Sequence, residues 1–284
     1  MKNKSGLRTF NEATAIVTGA ASGIGAALAR ELGLRGCEVV LADLQVTEAK
    51  KIAKDITDAG GAAVAAKLDV SDFSAVEKLV RSTVKRTGRL DYMFNNAGIG
   101  IGGPIAKYGI KDWEYIMNIN LRGAVNGVQA AYKLMTEQGF GHIVNTASMA
   151  GLTTGPLVSY SMTKFAVVGL SKCLRIEAEL YGVRVSVLCP GAIRTPMLSG
   201  GKYGRSVITS TPEIEEEIRR MFEKMRPMDP EIFARKSLDQ VAKNRAIIIF
   251  PAWWKIIWWL DRLFPNAMIN VGIKGARKSF KKFM

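Results

Sequence analysis

The stretch TAIVTGAASGIGAALARELGLRGCEVVLAD, residues 14–43, decides the fold. It opens on a short apolar run, turns through Gly19, Gly23 and Gly25, and continues into a helix-length segment at 24–35. A second apolar run then closes on Asp43. Strand, glycine turn, helix and strand in this order predict a βαβ unit. In such a turn glycine permits a tight bend, close approach of the backbone to a pyrophosphate, and close packing of helix on strand. The helix start near Ile24 turns its positive end toward those phosphates. Asp43, about twenty residues beyond the first glycine, stands where a carboxylate accepts from ribose hydroxyls. A glycine triplet alone is weak; its place between strand and helix and the trailing Asp43 make it a dinucleotide site. The carboxylate repels a 2′-phosphate, and neither Ser22 nor Leu44 offers a compensating cation. NAD is therefore expected over NADP.

The same alternation continues outward. Strand-like runs lie at 14–18, 38–43, 62–69, 90–96, 142–148, 184–189 and 246–250, with segments of helical period between them, including 73–87 and 113–135. Nearly continuous apolar strands alternating with helices predict an α/β fold: one Rossmann-type, doubly wound parallel sheet of about seven strands, covered on both faces. Its ligand crevice should lie at the strands' carboxyl ends. Residues 1–250 form the expected catalytic domain. Within it, a long non-strand insertion at about 192–245 is expected to act as a mobile substrate flap.

Composition narrows the classes. The chain has 284 residues, 48% hydrophobic and 23% charged, which is globular and large enough for a sizeable core. The first residues carry no apolar run of signal-peptide length, so a cytoplasmic location is expected. Cys37, Cys173 and Cys189 are odd in number and widely spaced, and read as buried packing residues. With His142 the single histidine, no metal site is expected, and His142 itself reads as structural or exposed.

A second constellation is Tyr160-Ser161-Met162-Thr163-Lys164, with Ser148 twelve residues before the tyrosine. Four-residue spacing on a helix puts Tyr160 and Lys164 on one face. A nearby ammonium should lower the phenol's pKa toward neutrality and make Tyr160 an acid/base, with Ser148 donating to the same substrate oxygen. Taken alone, a Tyr–Lys pair is more often an exposed helix face.

Together, TGAASGIG (18–25), Asp43, LDV (68–70), NNAG (95–98), NINLRG (118–123), Ser148, YSMTK (160–164) and PGAIRT (190–195) resemble the short-chain dehydrogenase/reductase family over about 14–250. The resemblance implies that Asn120 holds a water linking Lys164 to solvent, Ser148 polarises the substrate oxygen, and Tyr160 exchanges the proton. Lys164 would also bind the nicotinamide ribose. Gly19, Ser22, Gly23, Ile24, Gly25 and Asp43 would cradle the cofactor, with Asp69 and Val70 by the adenine. Asn96, Ala97 and Gly98 would line the channel behind the adenosine ribose, and Pro190, Gly191, Ile193 and Thr195 would hold the nicotinamide. The implied activity is hydride transfer between NAD(H) and an alcohol or ketone, in a homodimer or homotetramer built on the two long helices. The expected substrate-facing positions are Met149, Ala150, 152–157 and the flap from Met197; they are mainly apolar, with only Arg194 and Lys202 as possible anion contacts. A hydrophobic secondary alcohol, of steroid, retinoid or lipid type, follows. A 3-oxoacyl thioester reductase using NADPH and a non-catalytic cofactor-binding sensor or scaffold are the alternatives.

The extension 251–284 is different in character. Four of the five tryptophans lie between Trp253 and Trp259. The apolar stretch from Pro251 to Pro265, broken by Lys255, Asp261 and Arg262, is too short to cross a bilayer. Pro265 should stop its helix. Beyond it, Lys274, Arg277, Lys278, Lys281 and Lys282 form one predicted face, and Ile273, Ala276, Phe280, Phe283 and Met284 the other. From residue 232 onward the chain gathers +9 of its net +15. Peripheral attachment to an anionic membrane surface is the leading expectation. Subunit contact or capping of the substrate cleft comes second, and nucleic acid is not expected.

Overall fold

Apolar β-branched runs and the glycine turns between them build a parallel sheet in the computed structural model, which describes residues 6–199, 204–207 and 211–280. In chain order the elements are β1 (Thr14–Thr18), α1 (Gly23–Leu34), β2 (Glu38–Asp43), α2 (Val46–Asp58), β3 (Ala62–Lys67), α3 (Phe73–Thr87), β4 (Tyr92–Asn95) and β5 (Gly100–Gly102). There follow α4 (Ile110–Met117), α5 (Gly123–Gln138), β6 (Gly141–Thr146), α6 (Val158–Ala178), β7 (Val183–Pro190) and β8 (Gly204–Ser206). The last are α7 (Pro212–Lys224), α8 (Pro230–Ala242), β9 (Ile247–Phe250), α9 (Trp254–Leu263) and α10 (Pro265–Phe280). The main sheet has seven strands in the order β3-β2-β1-β4-β6-β7-β9, every neighbouring pair parallel. The strand order turns between β1 and β4, so the crevice opens there, at the carboxyl ends.

Alternating strand residues feed two cores. Ala15, Val17, Val39 and Leu41 pack under α1, α2 and α8. Ile16, Val40, Met93, Ile143 and Val185 pack under α3, α5 and α6. Helix ends follow local chemistry: Asp72 accepts from the Ala75 N–H at 3.1 Å to start α3, and Gly88, at φ 79°, ends it.

Several sequence expectations need correction. The predicted helix 113–135 is two helices, α4 and α5, joined by a π turn at Asn118–Arg122. The interval 192–245 is not free of strand and not all flap. Its β8 pairs in parallel with β5, Gly100 opposite Gly204. Its α8 belongs to the core: Asp229 caps it from the Glu231 and Ile232 N–H groups, and Phe233, Ala234 and Leu238 are fully buried against α1. Burying Phe233 alone is worth about 2–3 kcal/mol, which ties this helix to the sheet. Cys37 and Cys189 are buried but Cys173 is exposed, because α6 turns Lys164, Val167, Val168 and Ser171 inward and residue 173 outward. As expected, the first tail helix stops before Pro265, α9 ending at Leu263, and Pro265 itself opens α10. Lys202, Lys281, Lys282, Phe283 and Met284 lie outside the described residues. No helix among the described residues is long and apolar enough to cross a membrane.

His142 is buried at the start of β6, its Nε2 2.9 Å from Ser186 Oγ. Burial, assisted by the charges of Arg184 and Arg175, lowers its pKa from 6.5 to about 3. The folded chain keeps the ring neutral where the unfolded chain protonates it, so this contribution to stability is present above pH 6.5 and lost as pH falls toward about 3. His142→Gln is expected to flatten the fall of the urea-unfolding free energy across that window. An unchanged slope would show that the ring is not held neutral.

Candidate active site

The glycine turn is built by close approach. Gly19 sits at φ 65°, and a Cβ there would meet Ala97 Cα at 2.8 Å. A Cβ on Gly25 would come within 2.1 Å of the Gly19 carbonyl oxygen, so the first turn of α1 rests directly on the end of β1. Gly23, at φ 52°, faces Thr195, whose Cβ and Cγ2 lie 3.2 Å from where a Cβ would be. Ser22 stands at the N-cap but makes no side-chain cap, which leaves the first N–H groups of α1 without a side-chain oxygen. Ile24 packs partly buried against the α1 core. A bare helix N-terminus over a cradle that only glycine permits fits a pyrophosphate.

Asn96 braces this turn. Its Nδ2 donates to the carbonyls of Thr18 at 3.1 Å and Gly19 at 3.4 Å, while the Asn96 and Ala97 N–H groups donate to Thr18 Oγ1. Asp43 closes the neighbouring corner, its carboxylate accepting from the Ala21 N–H at 2.9 Å and the Gln45 N–H at 2.8 Å. Asp69 is exposed and accepts from Ser71. Val70 turns its side chain onto Gly123 of α5, and its carbonyl accepts from Asn126. Asp43, Ala21 and the glycine turn thus stand together, whereas Asp69 reaches them only through the ends of adjacent strands.

The residues expected to handle the proton converge from three elements. Asn120 lies inside the π turn, an irregularity that often marks a functional site. It is buried: its Oδ1 accepts from the Ile99 N–H at 2.8 Å, and its Nδ2 donates to the Ile99 carbonyl and to Thr163 Oγ1. Lys164 is buried one turn beyond Tyr160 on α6; its Nζ donates to the Thr146 carbonyl at 2.9 Å and lies 5.5 Å from the centroid of the Tyr160 ring. A Cβ on Gly98 would meet both Lys164 Nζ at 3.3 Å and Asn120 Oδ1 at 3.4 Å, so the two side chains meet at that glycine. Ser148, just past β6, hydrogen-bonds Tyr160, accepts from the Ala150 N–H, and reaches the Pro190 carbonyl at 3.5 Å.

The electrostatics differ from the sequence expectation in one respect. Burial raises the Tyr160 pKa, and the Ser148 hydrogen bond only partly offsets it. Burial likewise brings Lys164 down to about 8, and its Nζ donates to a backbone carbonyl.

Pro190 ends β7 and Gly191 follows it, the Gly191 N–H donating to the Phe250 carbonyl. Ile193 is buried and bridges to Met228, and Thr195 faces the glycine turn. Arg194 is engaged by Glu223 of α7, at 2.5 and 3.0 Å, and does not point free into a cleft. Met149 and Leu152, expected to face substrate, are buried in a cluster with Ala147, Cys189 and Ile249. Trp254 and Trp258 of α9 pack on that same cluster. Sequence reading also passed over Thr18, Thr146 and Thr163, each a partner of a site residue. Thr18, the first residue of TGAASGIG, and Thr163, inside the YSMTK run, stood in motifs that pointed at the site; Thr146 did not.

Residues 13–202 match the family model described as short chain dehydrogenase. Levodione reductase of Leifsonia aquatica is 38% identical over 193 residues, 66% of this chain and 72% of that protein. A short chain dehydrogenase/reductase from Burkholderia phymatum, solved in complex with NAD, superposes with a TM-score of 0.81 at 26% identity, covering 92% of this chain and 96% of that one. The 3-ketoacyl-(acyl-carrier-protein) reductase of Brucella melitensis, complexed with NADH, gives a TM-score of 0.73 at 26% identity over 85% of this chain and 97% of its own.

Gly25→Ala drives a Cβ into backbone that cannot move aside, and is expected to weaken NADH binding by roughly tenfold or more, about 1.4 kcal/mol. Gly169→Ala, at an open position of α6 with nothing within 4 Å, serves as the control and should leave binding unchanged. Equal affinities by fluorescence titration would remove the turn from the cofactor site.

Proposed function

The chain belongs to the short-chain dehydrogenase family, and from that premise we propose that it is an NAD-dependent oxidoreductase interconverting a hydrophobic secondary alcohol and its ketone. The observation that carries this reading is the meeting of Lys164 and Asn120 at Gly98, with the Tyr160 ring centroid 5.5 Å from the Lys164 Nζ. Asp43 supports NAD: its carboxylate is pinned by two backbone N–H groups, and no cation stands at position 22 or 44 to receive a 2′-phosphate. The nicotinamide supplies the site that accepts or gives the hydride. Every other task falls to the chain.

Ser148 donates to the substrate oxygen and fixes its direction. Tyr160 takes the hydroxyl proton during oxidation and returns it during reduction. Lys164 holds the cofactor ribose and stabilises the phenolate when it forms. Asn120, anchored to the Ile99 backbone, holds the water that passes the proton outward. Gly19, Ser22, Gly23, Ile24, Gly25, Asn96, Ala97, Gly98, Asp69, Val70, Pro190, Gly191, Ile193 and Thr195 frame the cofactor. Among the described residues, the expected anion contact Arg194 is engaged by Glu223, which supports an apolar substrate. The segment 192–229 acts as the flap over it.

Two further assignments belong to this reading. The apolar side chains that α5 and α6 leave exposed, Val125, Met162, Phe165 and Ile176, support a homodimer or homotetramer through those helices. Residues 251–284 attach the enzyme peripherally to an anionic membrane surface. A second reading, reduction of a 3-oxoacyl thioester, draws support from the Brucella reductase, which is held with NADH, the cofactor that Asp43 suits.

Absorbance of NADH, followed with a panel of hydrophobic secondary alcohols and with a 3-oxoacyl thioester, separates the two. Tyr160→Phe is expected to cut turnover by roughly a thousandfold while NADH still binds; substantial residual turnover would sink the assignment. Because burial makes Tyr160 hold its proton tightly, kcat/KM for oxidation should climb as pH rises and that for reduction should fall. Flat profiles in both directions would take Tyr160 out of the proton path.

A further inference from the structure

Helix α9 is apolar on two faces, and the body of the protein covers one of them. On the inner face Trp254 presses on Gly191 so closely that a Cβ there would lie 2.2 Å from its Nε1. Trp258 packs on the Ala147–Met149–Cys189 cluster beside it. Asp261 accepts from the Thr154 N–H and hydroxyl, both at 3.2 Å. Outward, the positions i, i+4 and i+7 from Ile256 are Ile256, Leu260 and Leu263, with Trp259 alongside; Ile256 is 63% exposed, Leu263 64% and Trp259 55%. Ile269, Val271 and Ile273 continue the exposed apolar surface on α10.

Charge identifies what covers this surface. The single acidic residue between 246 and 280 is Asp261, and it is turned inward to Thr154. The cations Lys255, Arg262, Lys274 and Arg277 flank the apolar stripe, Arg262 lying over the Trp258 ring at 5.7 Å. A second copy docked by the same face about a two-fold axis would bring these cations against their own counterparts with no carboxylate between them. Anionic headgroups complement them, and indole rings suit the depth at which headgroup gives way to acyl chain. With no helix able to cross a bilayer among the described residues, the geometry is that of helices lying in the interface plane.

We infer that the outward face of α9, continued by α10, docks on an anionic lipid surface and sets the rim of the substrate cleft against it. The second part follows from the inner face. Thr154 stands in the loop between Ser148 and Tyr160, and Gly191 follows β7 in the expected nicotinamide segment, so the docked helix is fastened to both sides of the site. The inference rests on the peripheral attachment proposed above and adds which face makes it.

The test is flotation of the full chain with phosphatidylcholine vesicles, with and without phosphatidylglycerol, for wild type and for Ile256→Glu/Leu263→Glu. Both positions are exposed, and NADH binding by fluorescence should match wild type, which shows that the variant is folded. Wild type should float with the anionic vesicles only, and binding should fall by roughly tenfold or more in the variant and in high salt. Equal flotation of variant and wild type would leave the attachment standing and overturn the assigned face. Wild type that stays unbound would overturn both, without touching dehydrogenase activity, which is read separately from NADH. Self-association of wild type that the variant abolishes would show that a second copy covers the face, and would also overturn the inference.

Discussion

The contact on which the rest of the molecule depends is the rest of α1 on the end of β1, where the Gly25 backbone and the Gly19 carbonyl approach too closely for any side chain. That approach tilts the start of α1 toward the crevice and turns its N–H groups to where phosphates would lie. It also needs support, since Gly19 and Gly23 both hold positive φ. Asn96 and Thr18 supply it by linking the turn to the end of β4, the strand across the crevice. The NNAG run therefore earns its place structurally before it meets any ligand. Gly98, its last residue, is then the point at which Lys164 and Asn120 come together. One bracing network joins the cofactor cradle to the proton-handling end.

A second constraint is dielectric. The centre of the sheet carries a run of buried polar groups: Asn95 donates to Asn145, Asn145 to Ser171, and Ser171 to the Val167 carbonyl. Each donates to the next, which fixes β4, β6 and α6 relative to one another, while Asn95 Oδ1 is left without a partner. Tyr160 and Lys164 project from that same helix into a region where charge is expensive. Desolvation acts on both in opposite senses, raising the phenol and lowering the ammonium, so burial disfavours charge on each and leaves the phenol holding its proton more tightly than the ammonium does. Burial replaces the simpler picture in which the lysine charge depresses the tyrosine.

The parts legible in the sequence are those in which chemistry and spacing are local. The βαβ turn, the YSMTK face and the seven strands follow from residues a few positions apart, read against periods of 2 and 3.6. The π turn at Asn118–Arg122 was not legible, because one extra residue in a turn leaves the surrounding apolar period almost unchanged. Nor was the place of α8: a helix after a long insertion reads the same whether it covers a sheet or a cleft, and only Phe233 packed on α1 decides. The tyrosine's pKa shift was misjudged for a related reason. Spacing gives the distance between two groups, not the solvent around them. Asp261 and Thr154, 107 residues apart, meet through a fold that neither segment encodes alone.

These non-local contacts fall largely where the chain leaves the family pattern. The family match ends at residue 202, before most of the flap and all of the tail. Yet both segments return to the site. On one side β8 pairs with β5, and Arg205 fastens to Asp112 at 2.6 Å and lies over Tyr115. On the other, α9 seats Trp254 on Gly191 and Asp261 on Thr154. The segment that holds the nicotinamide in the proposed reading is therefore bounded by tail and flap together. In the proposed reading the shared motifs hold the proton and the cofactor, and two later segments of different surface chemistry stand beside them: acidic residues on α7, apolar and cationic residues on α9 and α10.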